Sequence, residues 1–170
     1  MNSLNAYLLI VLWTISFPAI SGCKAGGKQT TPSNQFIVSG NEVYDKRTGL
    51  LWERCPVGMT LKRNQCKGTA KLLTLVDAEK HAQQLKGGWR LPTINELMGL
   101  VEERCKNPSI NSEIFPGVIE LYEGKAKYWS RTPFEEVPTL FHNVDFIDGG
   151  IDANSRGIMM GVRLVRDRRK

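Results

Sequence analysis

Trp89-Arg90-Leu91-Pro92-Thr93-Ile94-Asn95-Glu96-Leu97-Met98 carries a complete helix start. Thr93 can accept a hydrogen bond from the backbone three residues on, and Glu96 can reach back to the Thr93 N–H, the reciprocal pattern of a capping box. Ile94, Leu97, Met98 and Val101 then fall at i, i+3, i+4 and i+7, one buried face of a helix. The spacing predicts a helix from residue 94 to near Cys105, ending before Asn107-Pro108. Upstream, Thr74 and Asp77 stand at the same capping distance ahead of Ala78, Ala82 and Leu85, and Gly87-Gly88 supplies a stop. A first helix over residues 75–86 follows.

Outside these two helices the chain reads as strands and loops. Residues 41–44 and 50–53 flank Asp45-Lys46-Arg47-Thr48-Gly49, with the Asp and Gly that hairpin loops favour, and predict an opening hairpin. Further strands are expected around Tyr128-Trp129-Ser130, from Phe141 to Phe146 and from Gly161 to Arg166, with Asp148-Gly149-Gly150 as a turn and a loop at Phe115-Pro116-Gly117. No internal repeat is present. Two helices among scattered strands define an α+β chain.

The amino-terminal region carries a different signal. Residues 1–22 contain no Lys, Arg, Asp or Glu, and Tyr7 to Ile20 is almost wholly apolar. That is the core of a signal peptide, shorter than the roughly 20 apolar residues a transmembrane helix needs. It ends Ile20-Ser21-Gly22-Cys23, which resembles the bacterial lipobox, in which the Cys thiol accepts a diacylglycerol before cleavage. Lipidation is therefore expected at Cys23, with residues 23–35, rich in Gly, Thr, Ser and Pro, as a flexible tether and residues 36–170 as one domain. Lys24 departs from the Asp that retains lipoproteins at the inner membrane, so the expected site is the outer membrane of the cell envelope.

Lipidation leaves three thiols in an oxidising compartment. Cys55 and Cys66 form the natural disulfide, closing a short loop worth about 2–3 kcal/mol. Cys105 is then left over, to be buried as a small apolar residue or paired between chains.

The net charge of +6 is unevenly spread. Residues 24–71 hold nine basic against three acidic side chains, residues 72–155 eight against thirteen, and residues 156–170 six against one. Arginine's planar fork suits oxyanions, so Arg163, Arg166, Arg168, Arg169 and Lys170 are the expected polyanion-binding residues, with Lys62, Arg63 and Lys67 as the other basic stretch.

In order, Val43-Tyr44-Asp45 with Thr48-Gly49-Leu50-Leu51-Trp52, Gly88-Trp89-Arg90-Leu91-Pro92-Thr93 with Glu96-Leu97, Tyr128-Trp129-Ser130 and Val162-Arg163-Leu164-Val165-Arg166 resemble the Lcl C-terminal domain family. The resemblance implies a C-type-lectin-like α+β domain: two helices packed on twisted, mostly antiparallel sheets, with the chain ends together. Under it Trp52, Trp89 and Trp129 are scaffold aromatics and Arg90 pairs with Glu96, while sugar stacking on Trp129 is the lesser alternative.

The Glu-Pro-Asn or Gln-Pro-Asp and Trp-Asn-Asp motifs of calcium-dependent lectins do not occur in the sequence, and Asp145, Asp148 and Asp152 near Asn154 lack a regular ligand frame. No metal or cofactor is therefore expected. No Cys follows Cys105, His81 and His142 are isolated, and Ser130, His142 and Asp145 come without an elbow motif, so no enzyme is expected either. The expected function is a ligand-binding, adhesin-like module for acidic or sulfated polysaccharide, anchored to the membrane by its N-terminal lipid. The alternative is a structural or assembly subunit with a fixed envelope-protein partner. Specific nucleic-acid binding is not expected, and the oligomeric state is left open.

Overall fold

The computed structural model describes residues 22–24, 28–118 and 120–168. The predicted leader, apart from Gly22, lies outside these residues, as do Arg169 and Lys170. The elements in order are β1 (Phe36–Ser39), β2 (Glu42–Asp45), β3 (Leu50–Glu53), β4 (Met59–Lys62), β5 (Gln65–Gly68), α1 (Leu75–Gln84), α2 (Ile94–Met98), β6 (Lys127–Phe134), β7 (Val137–Asp145), β8 (Gly150–Ser155) and β9 (Val165–Asp167). They form an α+β fold with three antiparallel sheets, ordered β1-β2-β3-β9, β4-β5 and β6-β7-β8. The last strand of the chain joins the sheet begun by the first, so the two ends of the domain meet.

Alternation builds the first sheet. Val43 pairs with Trp52 and Trp52 with Val165, placing three side chains that are at most 1% exposed on one face. They pack with Phe115, Tyr128, Val144 and Phe146 in one core cluster. A second cluster lies under α1, where Leu75, Ala78 and Ala82 meet Trp129, Leu91 and Leu164. Trp129 is fully buried and donates its Nε1–H to the Leu73 carbonyl at 2.9 Å. Sugar stacking on this ring is thereby ruled out.

Both helix starts are as predicted. The Asp77 N–H donates to Thr74 Oγ1 at 3.2 Å, and the full capping box forms at Thr93 and Glu96. Glu96 also receives a two-pronged hydrogen bond from Arg90, both arms 2.8 Å. The ends differ from the expectation. Leu85 leaves α1 in extended backbone and turns into the second cluster, two residues early. The α2 helix stops at Met98 instead of running to Cys105, because Val101 bridges to Ile110 and the Glu102 N–H donates to the Ser109 carbonyl. Of the predicted face, Leu97 and Val101 are buried and Ile94 and Met98 partly so, while a tight turn delivers Val101, and buries Leu100 beside it, where a continued helix was expected.

Glu102 explains the turn. Its carboxylate is 3% exposed and accepts from the N–H and hydroxyl of Thr31 at 2.9 and 3.0 Å and from the Thr30 N–H at 3.3 Å. Thr31 is itself buried, so the expected tether is not loose to residue 35 but is clamped from Thr30 onwards. Burial alone would raise the Glu102 pKa, but the Thr31 and Thr30 hydrogen bonds outweigh it and hold the carboxyl below its ordinary 4.5. With the folded value depressed, the stability Glu102 contributes is complete above about pH 4.5 and is lost as pH falls through the folded value. Glu102→Gln is expected to cost about 1–3 kcal/mol at neutral pH and to flatten the acid limb of the stability curve. Urea midpoints between pH 3 and 7 would show it, and parallel wild-type and variant curves would remove Glu102 from that role.

Candidate functional site: a basic hairpin

The structure disperses the C-terminal basic cluster. Arg163, expected to face a polyanion, has no exposed surface. Its Nη1 donates to the carbonyls of Glu53 and Arg54 at 2.9 and 2.7 Å, and its guanidinium lies 5.1 Å from the Phe115 ring centre and 5.8 Å from that of Tyr128. Burial lowers the Arg163 pKa and pushes that of Tyr128 up to about 12. Arg163 is a core residue that ties β3 to the C-terminal segment. Strand alternation could not reveal this, because residues 160–165 are buried on both faces.

Arg163→Ala is expected to destabilise by on the order of 3 kcal/mol, since it empties volume beside two rings and strips two carbonyls of their donor. Denaturant unfolding checks this, and a loss below about 1 kcal/mol would mean the core closes over the gap.

Arg166 is half-buried, donates to Glu42 Oε2 at 2.7 Å and lies 5.0 Å from the Trp89 ring centre. Its charge is already paired. Arg168 is exposed but stacks 4.6 Å from the Tyr44 ring centre. Of the five expected residues, two are thus held inside the domain, one rests on an aromatic ring and two lie outside the described residues.

The Asp-rich region also resolves differently from a ligand frame. Lys125 Nζ sits 3.2 Å from Asp145 Oδ2 and 3.6 Å from Asp148 Oδ2, and Lys127 Nζ sits 2.6 Å from Asp152 Oδ2. Ammonium groups stand among these carboxylates. Ser130, His142 and Asp145 do not assemble for acyl transfer: the Ser130 hydroxyl donates to the His142 backbone carbonyl, and Asp145 Oδ1 accepts the N–H groups of Ala126 and Ile147.

The other basic stretch is the candidate site. From residue 54 to 76 the chain carries five basic side chains and no acidic one. Within it β4 and β5 form a hairpin whose register pairs Thr60 with Lys67 and Lys62 with Gln65. Those four share the outer face, while Leu61 and Cys66 point inward, and Arg63 stands at the tip with Asn64, both at positive φ. The Arg54 guanidinium reaches Asn64 Oδ1 at 3.4 Å and braces that tip. Lys62, Arg63, Lys67 and Lys71 are all exposed, and none makes an ion pair among the described residues.

The hairpin is held rigid from beneath. Cys55 and Cys66 form the expected disulfide, with Cα atoms 5.6 Å apart. Gly117 passes directly against it, where a Cβ would lie 2.6 Å from that of Cys66, and its φ of +87° also requires glycine. The sequence marked the disulfide and the basic residues but not the strands, because no glycine flags the turn.

The remaining cysteines differ from expectation. Cys105 is buried, but it is not left over: it forms a disulfide with Cys23. The backbone supports the pairing, since Gly22 and Lys106 exchange N–H to carbonyl bonds of 3.2 Å and Lys24 donates to the Arg104 carbonyl at 2.8 Å. One sulfur cannot hold both this bond and a lipid thioether, so this state of Cys23 excludes the expected one.

An α+β domain with both ends in one sheet is the class this geometry defines. Residues 41–166 match the Lcl C-terminal domain. The chain belongs to that family. No curated protein and no solved structure matches it.

Proposed function

We propose that the protein is a non-catalytic, adhesin-like binding module of the bacterial cell envelope, anchored through lipid on Cys23, that takes acidic or sulfated polysaccharide on the β4–β5 hairpin. The observation that carries this reading is the set of three exposed cations on a disulfide-braced hairpin, Lys62, Arg63 and Lys67, with Lys71 just beyond it, none of them ion-paired among the described residues. Cations that are already paired must give up a partner to bind an oxyanion, whereas these four have no ion pair to lose among the described residues. Lys62 and Lys67 lie diagonally across the two strands on one face, with Arg63 at the tip, so one chain bearing several oxyanion groups can meet them together.

A glycan array probed at 0.1 and 1 M salt tests the reading. Sulfated and uronate-rich glycans should bind at low salt and be lost at high salt, as the screening length falls from about 10 to about 3 Å. Binding to neutral glycans alone, or to none, would contradict it.

A further inference from the structure

The basic hairpin is built apart from the rest of the domain. Its two strands form a sheet of their own, and no residue from 58 to 72 belongs to either core cluster. The chain is pinned at both roots of this segment. The Val57 N–H donates to the Val162 carbonyl at 2.9 Å, and Leu73 and Met160 exchange N–H to carbonyl bonds of 2.9 and 3.0 Å. Between those roots Arg54 Nη1 donates to Asn64 Oδ1 at 3.4 Å, Met59 and Cys66 lie against Gly117, and Cys66 is bonded to Cys55. The disulfide is the covalent tie among these. A two-stranded hairpin on its own is marginally stable in water, so without that tie the open form is well populated. Opening it takes nothing out of the two core clusters, which makes the hairpin a unit that can unfold locally. Cys55 is 2% exposed and Cys66 9%, so a reductant reaches the bridge only once the hairpin lifts.

We infer that the Cys55–Cys66 bridge is a redox latch on the glycan site, an inference that rests on the binding reading given above. A dithiol opens the latch. Its thiolate attacks one sulfur of the lifted hairpin, its second thiol closes its own disulfide, and two electrons and two protons pass to Cys55 and Cys66. Freed, the hairpin no longer holds Lys62 and Lys67 on one face with Arg63 at the tip, and each side chain must be ordered anew for a polyanion to bind. The rest of the domain stays folded. The coupling runs both ways: an occupied site keeps the hairpin seated and so shields the bridge.

The test uses the mature chain with Cys23→Ser, in which Cys55–Cys66 is the bridge that remains. The oxidised chain should be retained on heparin and should protect the amides of residues 59–68 from hydrogen exchange. With dithiothreitol, retention should be lost and exchange should accelerate in that segment by about a hundredfold, the effect of opening a short closed loop, while both cores stay protected. Cys55→Ser with Cys66→Ser should behave without reductant as the reduced chain does. Free heparin at about 100 times its Kd should slow the appearance of the two thiols about a hundredfold. Retention or exchange at 59–68 unchanged by reduction would overturn the latch, and faster exchange throughout the domain would make the bridge a staple of the whole fold instead. No retention of the oxidised chain would remove the glycan reading, and the latch with it.

Discussion

Joint replacement of Lys62, Arg63 and Lys67 by Glu is expected to abolish retention on heparin at physiological salt. Each cation that meets a sulfate contributes a charge-assisted hydrogen bond of about 1.5–3 kcal/mol. At the low end three such contacts amount to roughly 4.5 kcal/mol, more than a thousandfold in Kd, and reversal adds repulsion. The three side chains are exposed and the disulfide beneath them is untouched, so the fold should survive, which near-ultraviolet circular dichroism would confirm. Truncation after Asp167 removes Arg168 and the two residues after it, and should reduce retention far less. A folded triple variant that still elutes with the wild type would take the glycan site off the hairpin. A truncation as damaging as the triple variant would return the site to the C-terminus.

The second large effect concerns Cys23, whose sulfur is bonded to Cys105 in the structure and would have to be free of it to carry the proposed lipid. Cys105 lies 82 residues further along the chain. At roughly 5–20 residues per second of synthesis, Cys23 emerges about 4–16 s before Cys105 does. Acylation during export therefore meets a thiol without its disulfide partner. The chain exported on its own leader is expected to fractionate with membranes, with an acylated Cys23 and a Cys105 thiol that alkylates only after unfolding. The same chain begun at Gly22 and folded under oxidising conditions is expected to be unlipidated and to yield the Cys23–Cys105 peptide pair on non-reducing digestion. Cys23→Ser should release the exported protein from the membrane entirely, whereas Cys105→Ser should leave anchoring unchanged. Recovery of the Cys23–Cys105 pair from the leader-exported wild type would end the lipoprotein reading.

What could be read in the sequence was local. The capping box at Thr93 and Glu96 spans four residues, and its partners need no other part of the chain, so it stands as written. The hairpin of β2 and β3 was visible for the same reason. The end of α2 was not, because the apolar period runs on through Val101, and the helix is broken by distant partners: Ile110 and Ser109 pair with the Val101 and Glu102 backbone, and Thr31 holds the Glu102 carboxylate. Arg163 looked like surface because it is charged. Its burial depends on carbonyls of β3 and the residue after it, about 110 positions earlier in the chain. The basic hairpin was seen as charge without shape: the composition of residues 54–76 was plain, but the pairing that puts Lys62 and Lys67 on one face rests on a turn of Arg63 and Asn64 that carries no glycine.

The clamp at Thr30 also fixes a geometry at the membrane. From Cys23 to Thr30 is seven residue steps, at most about 25 Å when fully extended. A domain of this size has a radius of gyration of about 14 Å and is roughly 35 Å across. If Cys23 is acylated as proposed, the leash is shorter than the body it holds. The domain can then tilt and slide over the bilayer but cannot turn over, and the side bearing Glu102 stays nearest the lipid. Ligand search becomes largely two-dimensional, confined to what passes within one domain's width of the surface.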